Sequence, residues 1–94
     1  MIKSFGDPET EKIWSEKKSM KLPPDIHKRA FSKLLIIHSA ESEDDLRCPP
    51  GNRFEHLIGE LRGYCSIRVN NQWRIQFKFK NNEATDVSIV DYHK

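Results

Sequence analysis

The clearest pattern in this chain lies in residues 64–80. Trp73, Ile75, Phe77 and Phe79 alternate with Arg74, Gln76, Lys78 and Lys80, and just upstream Cys65, Ile67 and Val69 alternate with Tyr64, Ser66 and Arg68. A period of two predicts two strands, each with an apolar and a polar face. Asn70-Asn71-Gln72 between them suits a hairpin loop, because Asn tolerates the left-handed conformation. A three-residue loop pairs Val69 with Trp73, Ile67 with Ile75 and Cys65 with Phe77, and it sets Arg68 opposite Arg74 on the other face. A two-residue loop would pair apolar with polar positions and spoil both faces. After a turn at residues 80–83, Val87, Ile89 and Val90 predict a last strand over residues 85–92.

The first half is helical in pattern. Met1-Ile-Lys-Ser-Phe5 alternates and reads as a short opening strand. Asp7-Pro8 then signals a helix start, with Asp7 as cap, Pro8 in the first helical position and Glu9 and Glu11 near the positive helix end. This helix is expected to run to about Lys18 and to bury Ile13 and Trp14, before Pro23-Pro24 ends any continuation. Residues 24–39 form the main helix: Ile26, Ala30, Leu34 and Ile37 share one face, widened by Phe31 and Leu35. Ser42-Glu43-Asp44-Asp45 resembles a capping box opening one further turn through Leu46, and residues 47–52 are a Pro-Pro-Gly-Asn loop. Helices first and antiparallel strands after predict an α+β fold, with an N-terminal strand and two to three helices packed on an antiparallel sheet. Residues 1–94 make a single domain, since 94 residues leave no room for two.

Composition narrows the function classes. No apolar run approaches the roughly 18–20 residues of a membrane span, and no secretory signal is visible at the start, so a cytoplasmic location without membrane contact is expected. The two cysteines, Cys48 and Cys65, lack ligand spacing, and His27 and His38 lie eleven apart on different turns of one helix, about 16 Å along its axis, so no metal is expected. No phosphate-binding glycine loop or nucleophile-elbow motif is present, which removes nucleotide hydrolases and serine hydrolases. Net charge is only +2, but its distribution is uneven: residues 47–80 hold seven Lys or Arg against Glu55 and Glu60, whereas residues 1–46 hold eight against nine acidic. A basic middle between near-neutral ends suits a polyanion.

Like charges directly opposite in a sheet repel. The Arg68–Arg74 pair therefore calls for an anion, either a carboxylate (Glu55, Glu60 or Asp91) or a phosphate from outside. Near the last residue, Lys94, stand Asp91-Tyr92-His93: a carboxylate, a hydroxylated aromatic and a side chain that titrates near neutrality.

Four segments together carry a family resemblance: Pro49-Pro-Gly-Asn-Arg53, Gly63-Tyr-Cys-Ser-Ile-Arg-Val69, Gln72-Trp-Arg-Ile-Gln-Phe77 and Val90-Asp-Tyr-His93. With Met1–Phe5, the chain resembles the HigB-type toxins of the RelE/ParE superfamily of type II toxin–antitoxin systems over essentially its whole length. The resemblance implies a RelE-like fold and a ribosome-dependent endoribonuclease, an mRNA interferase that inhibits translation without metal or cofactor. Cleavage would proceed by attack of the ribose 2′-OH on the adjacent phosphate. Matching positions imply Arg74 as the charge-stabilising arginine, Asp91 and His93 as the acid–base pair in either order, and Tyr92 as a stacking or positioning residue. Arg53, Arg62, Arg68 and Lys78 are candidate RNA contacts. Relatives that cut RNA carry a histidine and a lysine in the loop before the Gly-Tyr strand; here Glu55 and Ile58 occupy those places with His56 adjacent, so Glu55 or His56 is the candidate replacement. The implied partners are a HigA-like helix-turn-helix antitoxin, the ribosome with mRNA, and operator DNA through the antitoxin alone, with a monomeric toxin and a heterotetramer in complex. The alternatives on the same fold are a non-catalytic ParE-like inhibitor of DNA gyrase and a weakly active toxin kept as regulatory partner of its antitoxin.

Overall fold

Residues 1–92 are described by the computed structural model. Helix α1 (Pro8–Trp14) starts as its residues dictate: Asp7 Oδ1 accepts from the Thr10 amide at 2.8 Å and Oδ2 from the Thr10 hydroxyl at 2.8 Å. It ends at Trp14, four residues before the expected Lys18, because Glu16 takes a left-handed φ of 59° that no helix continues. The segment that follows is tied back through Ser19 Oγ, which donates to Glu9 Oε1 at 2.7 Å. Helix α2 (Pro24–Ser39) has the expected bounds and buries Ile26, Ala30, Leu34 and Ile37. Helix α3 (Glu43–Leu46) buries Leu46, but the capping box does not form: Ser42 makes no side-chain cap, and Asp45 Oδ2 instead accepts from the Glu41 amide at 2.9 Å.

Four strands follow, β1 (Glu55–His56), β2 (Cys65–Arg68), β3 (Trp73–Lys80) and β4 (Glu83–Asp91), forming one antiparallel sheet in the order β1-β2-β3-β4. The β2–β3 register is the expected one, with Cys65 opposite Phe77, Ile67 opposite Ile75 and Arg68 opposite Arg74. Asn70 Oδ1 organises the three-residue loop by accepting from the amides of Gln72 and Trp73, both at 2.8 Å. The β3–β4 turn is the Asn81-Asn82 pair with φ of 52° and 63°, the double left-handed geometry that matches strand twist. A register shift between Gln76 and Lys78 lies near Asp86, which also takes a positive φ, 53°.

The expected opening strand is an extended segment instead. Ile2 and Phe5 make two isolated parallel bridges, to Ala84 and Val87 of β4, too sparse for a regular ladder. Gly6 permits this approach: a Cβ there would fall 2.2 Å from Ser88 Oγ.

The helices bury the apolar face of the sheet. Ile67, Val69, Ile75, Phe77, Ala84 and Val87 pack with Ala30, Leu34 and Ile37, all at 0% exposure. The opposite face, bearing Ser66, Arg68, Arg74, Gln76 and Val90, is left to the loops. Among the described residues no helix is long and apolar enough to cross a membrane.

Cys65 belongs to the core, and its burial pushes the thiol up to about 12, whereas Cys48 is exposed. Since the thiolate is the reactive form, a thiol reagent at mildly alkaline pH is expected to modify Cys48 rapidly and Cys65 only in denaturant. Two rapidly reacting thiols would contradict this packing.

Candidate active site on the open sheet face

Arg74 sits between β2 and β4, its side chain only 8% exposed. Nε donates to Ser66 Oγ at 2.9 Å, and Nη2 donates to the carbonyls of Arg53 at 2.6 Å and Ser66 at 3.3 Å. Among the described residues Nη1 makes no hydrogen bond, yet no buried side-chain nitrogen or oxygen lacks a partner. Nη1 is thus the guanidinium nitrogen that no described residue occupies. The guanidinium is fixed by one edge and presents the other.

Around it stand two further groups. Glu55 Oε1 lies 3.7 Å from Nη2, and the Tyr92 hydroxyl donates to the same oxygen at 2.8 Å. The Tyr92 ring covers the guanidinium, with its centroid 5.1 Å from Cζ. Burial pulls Arg74 below its ordinary value, opposed by the Glu55 charge, but an arginine remains protonated regardless.

The β1 strand makes this arrangement. Glu55 pairs with Ser66, so its side chain joins the polar face, whereas His56 pairs with Cys65 and turns the other way. His56 Nε2 bonds Glu43 of α3 at 3.0 Å and its ring meets Phe54 edge-on, so His56 is not brought beside Arg74. Glu55 does reach it.

The two facing arginines do not form an open anion pocket between them. Arg68 hydrogen-bonds the Asn71 side chain in the hairpin loop, while Arg74 is held from Ser66, Arg53 and Glu55. Their like charges still interact, since Arg68 contributes to lowering Arg74. Of the carboxylates weighed from sequence, Glu55 supplies the counter-charge.

Asp91 ends β4 opposite Trp73, and its Oδ2 accepts from Gln72 Nε2 at 3.0 Å, while the Gln72 carbonyl accepts from the Tyr92 amide at 2.6 Å. Gln72 thus anchors the tail from both its side chain and its backbone. His93 lies outside the described residues. Arg53 contributes through its carbonyl, with its side chain exposed, and Arg62 is exposed beyond the turn Gly59–Leu61. Lys78 is not brought to the cluster: it pairs with Asp86 at 3.7 Å and lies over the Tyr64 ring. Sequence reasoning missed Ser66 and Gln72 as supports. Ser66 was readable as the one small polar position diagonal to Arg74, but its acceptor role follows only from the register.

The Glu55 hydrogen bond, followed by burial, raises the Tyr92 phenol above its ordinary 10. The neutral phenol is the donor, so this contact is fully present below the unfolded value and is lost as pH rises through the higher folded one. The ultraviolet difference titration between the parent and Tyr92→Phe is expected to have its midpoint above 10. A midpoint at or below 10 would contradict the bond.

Comparison with known proteins places this geometry in a family. Residues 3–93 match the family described as HigB-like, the RelE-like toxin HigB of type II toxin–antitoxin systems. The chain is 44% identical over 95 residues to Toxin HigB-1 of Vibrio cholerae serotype O1, covering 100% of this chain and 99% of that protein. It is 30% identical to Endoribonuclease HigB of Proteus vulgaris, covering 99% and 100% respectively. Among solved structures, the fold resembles a chain of the heterotetrameric YoeB–YefM toxin–antitoxin complex of Staphylococcus aureus, with a TM-score of 0.61, 18% identity and coverage of 100% and 99%. The antiparallel sheet, the helices packed on its apolar face and the full-length match lead to one assignment: the chain belongs to the HigB-like family of RelE-like toxins of type II toxin–antitoxin systems.

Proposed function

We propose that the protein is an endoribonuclease that cleaves mRNA in the decoding site of the ribosome and so inhibits translation. The observation that carries this reading is the buried guanidinium of Arg74, immobilised by one edge beneath Tyr92 with Nη1 taken by no described residue. A preorganised guanidinium of this kind, its side chain only 8% exposed, suits charge developing on a phosphate, where one such group is worth about 3–4 kcal/mol. The name of the Proteus vulgaris relative, Endoribonuclease HigB, supports the same chemistry.

In this mechanism the ribose 2′-OH attacks the adjacent phosphorus and the bond to the 5′-oxygen breaks. One group takes the 2′-OH proton and another protonates the leaving 5′-oxygen, giving a 2′,3′-cyclic phosphate and a 5′-OH. Arg74 stabilises the non-bridging oxygens. Asp91 and His93 supply the acid–base pair, each proton transfer contributing roughly 10²–10⁴-fold. Glu55 is the further candidate base, because it already stands against Arg74 and accepts a hydrogen bond from the Tyr92 hydroxyl. Arg53, Arg62 and Arg68 supply phosphate contacts along the strand.

The partner in this reading is a HigA-like helix-turn-helix antitoxin that neutralises the toxin in the cytoplasm, forms a heterotetramer with it and carries the contact to operator DNA. The YoeB–YefM heterotetramer, a complex of a protein with this fold, supports an antitoxin partner.

Induced expression is expected to arrest growth with cleaved mRNA, and His93→Ala to restore growth while the protein stays folded and abundant. Arrest by the parent with intact mRNA and trapped gyrase–DNA breaks would overturn the reading, as would full toxicity of a folded His93→Ala variant.

A further inference from the structure

Beside Tyr92 on the open sheet face lies a cleft of about 410 Å³. It is lined by Leu57, Ile58 and Leu61 from the segment after β1, by Gln76 of β3, and by Val90, Asp91 and Tyr92 from the tail. Ile58 is 88% exposed and Leu61 39%, a placement that contributes nothing to the core and leaves apolar surface facing the cleft. Among the described residues the Gln76 side-chain amide makes no hydrogen bond, although it is half-buried on the polar face of β3.

The position of this cleft relative to Arg74 is informative. Gln76 and Arg74 are two apart on one strand face, so about 6.6 Å separates them along β3. That is about the span from a phosphate to its own base. Arg74 carries a cation for the phosphate. The cleft offers apolar and aromatic walls for a ring, Gln76 offers a donor and an acceptor side by side, and Asp91 adds a carboxylate acceptor. We infer that this cleft is a nucleobase subsite, in which Leu57, Ile58, Leu61 and Tyr92 hold one unstacked base of the RNA strand while Gln76 reads its edge. The inference rests on the endoribonuclease reading and adds to it the element that selects sequence.

Each polar contact to a base edge of this type discriminates about 5- to 150-fold. Cleavage-site mapping on ribosome-bound mRNA, with the parent, Gln76→Leu and Gln76→Glu, tests this directly. Gln76→Leu is expected to relax the base preference at one position by about that factor, and Gln76→Glu, which has acceptors only, to shift it toward bases that present an amino group. Ile58→Ser is expected to raise KM several-fold with kcat unchanged. Neither position supports the fold, so thermal melting should stay near the parent value. Cleavage by all variants with one unchanged base distribution would overturn the subsite and leave the nuclease reading intact.

A second measurement separates the two claims. In the labelled parent protein, titration with 5′-AMP, CMP, GMP and UMP is expected to shift the Gln76 side-chain amide resonances with at least one nucleotide. That shift without any mRNA cleavage would retain the subsite and remove the nuclease reading. No shift with any of the four would overturn the subsite.

Discussion

Arg74→Ala is expected to lower kcat/KM for ribosome-bound mRNA by about 10²–10³-fold, the usual loss when one preorganised donor is removed from a developing anion. The same substitution leaves Ser66 Oγ and the Arg53 and Ser66 carbonyls without their donor and leaves Glu55 without its counter-charge. Unsatisfied groups of this kind cost on the order of 1–3 kcal/mol, so stability should fall as well. Arg74→Lys separates the two effects. It keeps a charge but not the planar fork that grips Ser66 with one edge while presenting the other, so it should fold better than the alanine variant yet remain strongly impaired. Full cleavage by either folded variant would make Arg74 a structural residue only.

The largest effect on stability is expected at Phe77, which is fully buried and meets Phe79 edge-on at 6.4 Å. Phe77→Ala should cost about 3–5 kcal/mol, through lost burial and the cavity left behind. Domains of this size have only about 5–15 kcal/mol in total, and each kcal/mol moves Tm by about 4–8 °C. Urea unfolding of Phe77→Ala should therefore show a much lower midpoint with an unchanged slope, whereas Met20→Ala, at 85% exposure, should stay within about 0.5 kcal/mol. A loss under about 1 kcal/mol at Phe77 would contradict the packing of helices on the sheet.

The hairpin and the main helix were legible because their signals are local. Period-two alternation on both sides of Asn70-Asn71-Gln72 leaves one loop length that keeps both faces consistent, and the β2–β3 register follows it. Pro24 and the 3.6-residue apolar spacing likewise set α2. What failed were the features decided by distant partners. Met1–Phe5 alternates like a strand, but the edge of β4 offers it only two bridges. The two-residue strand β1 is too short to have a pattern of its own, so Glu55 read as a loop residue.

The site depends on this short strand. The hairpin pattern opposes Arg68 and Arg74, but only Arg74 meets a carboxylate, while Arg68 is held by Asn71. The resolution came from β1, which delivers Glu55 to Arg74 and turns His56 toward Glu43. Arg74, Glu55 and Tyr92 come together, while Lys78 is claimed by Asp86. Side-chain direction after a β-bulge and a short strand is a tertiary property, and no window of the sequence contains it.

The most direct test maps both ends of the cut. Purified protein is added to ribosomes stalled on a defined mRNA with the decoding site empty, and the fragments are analysed for their terminal groups. A 2′,3′-cyclic phosphate upstream and a 5′-OH downstream, formed in the parent reaction and suppressed in Arg74→Lys, is the predicted result. Intact mRNA in the presence of the folded parent protein, or fragments bearing a 5′-phosphate, would contradict a guanidinium-stabilised attack by the ribose hydroxyl.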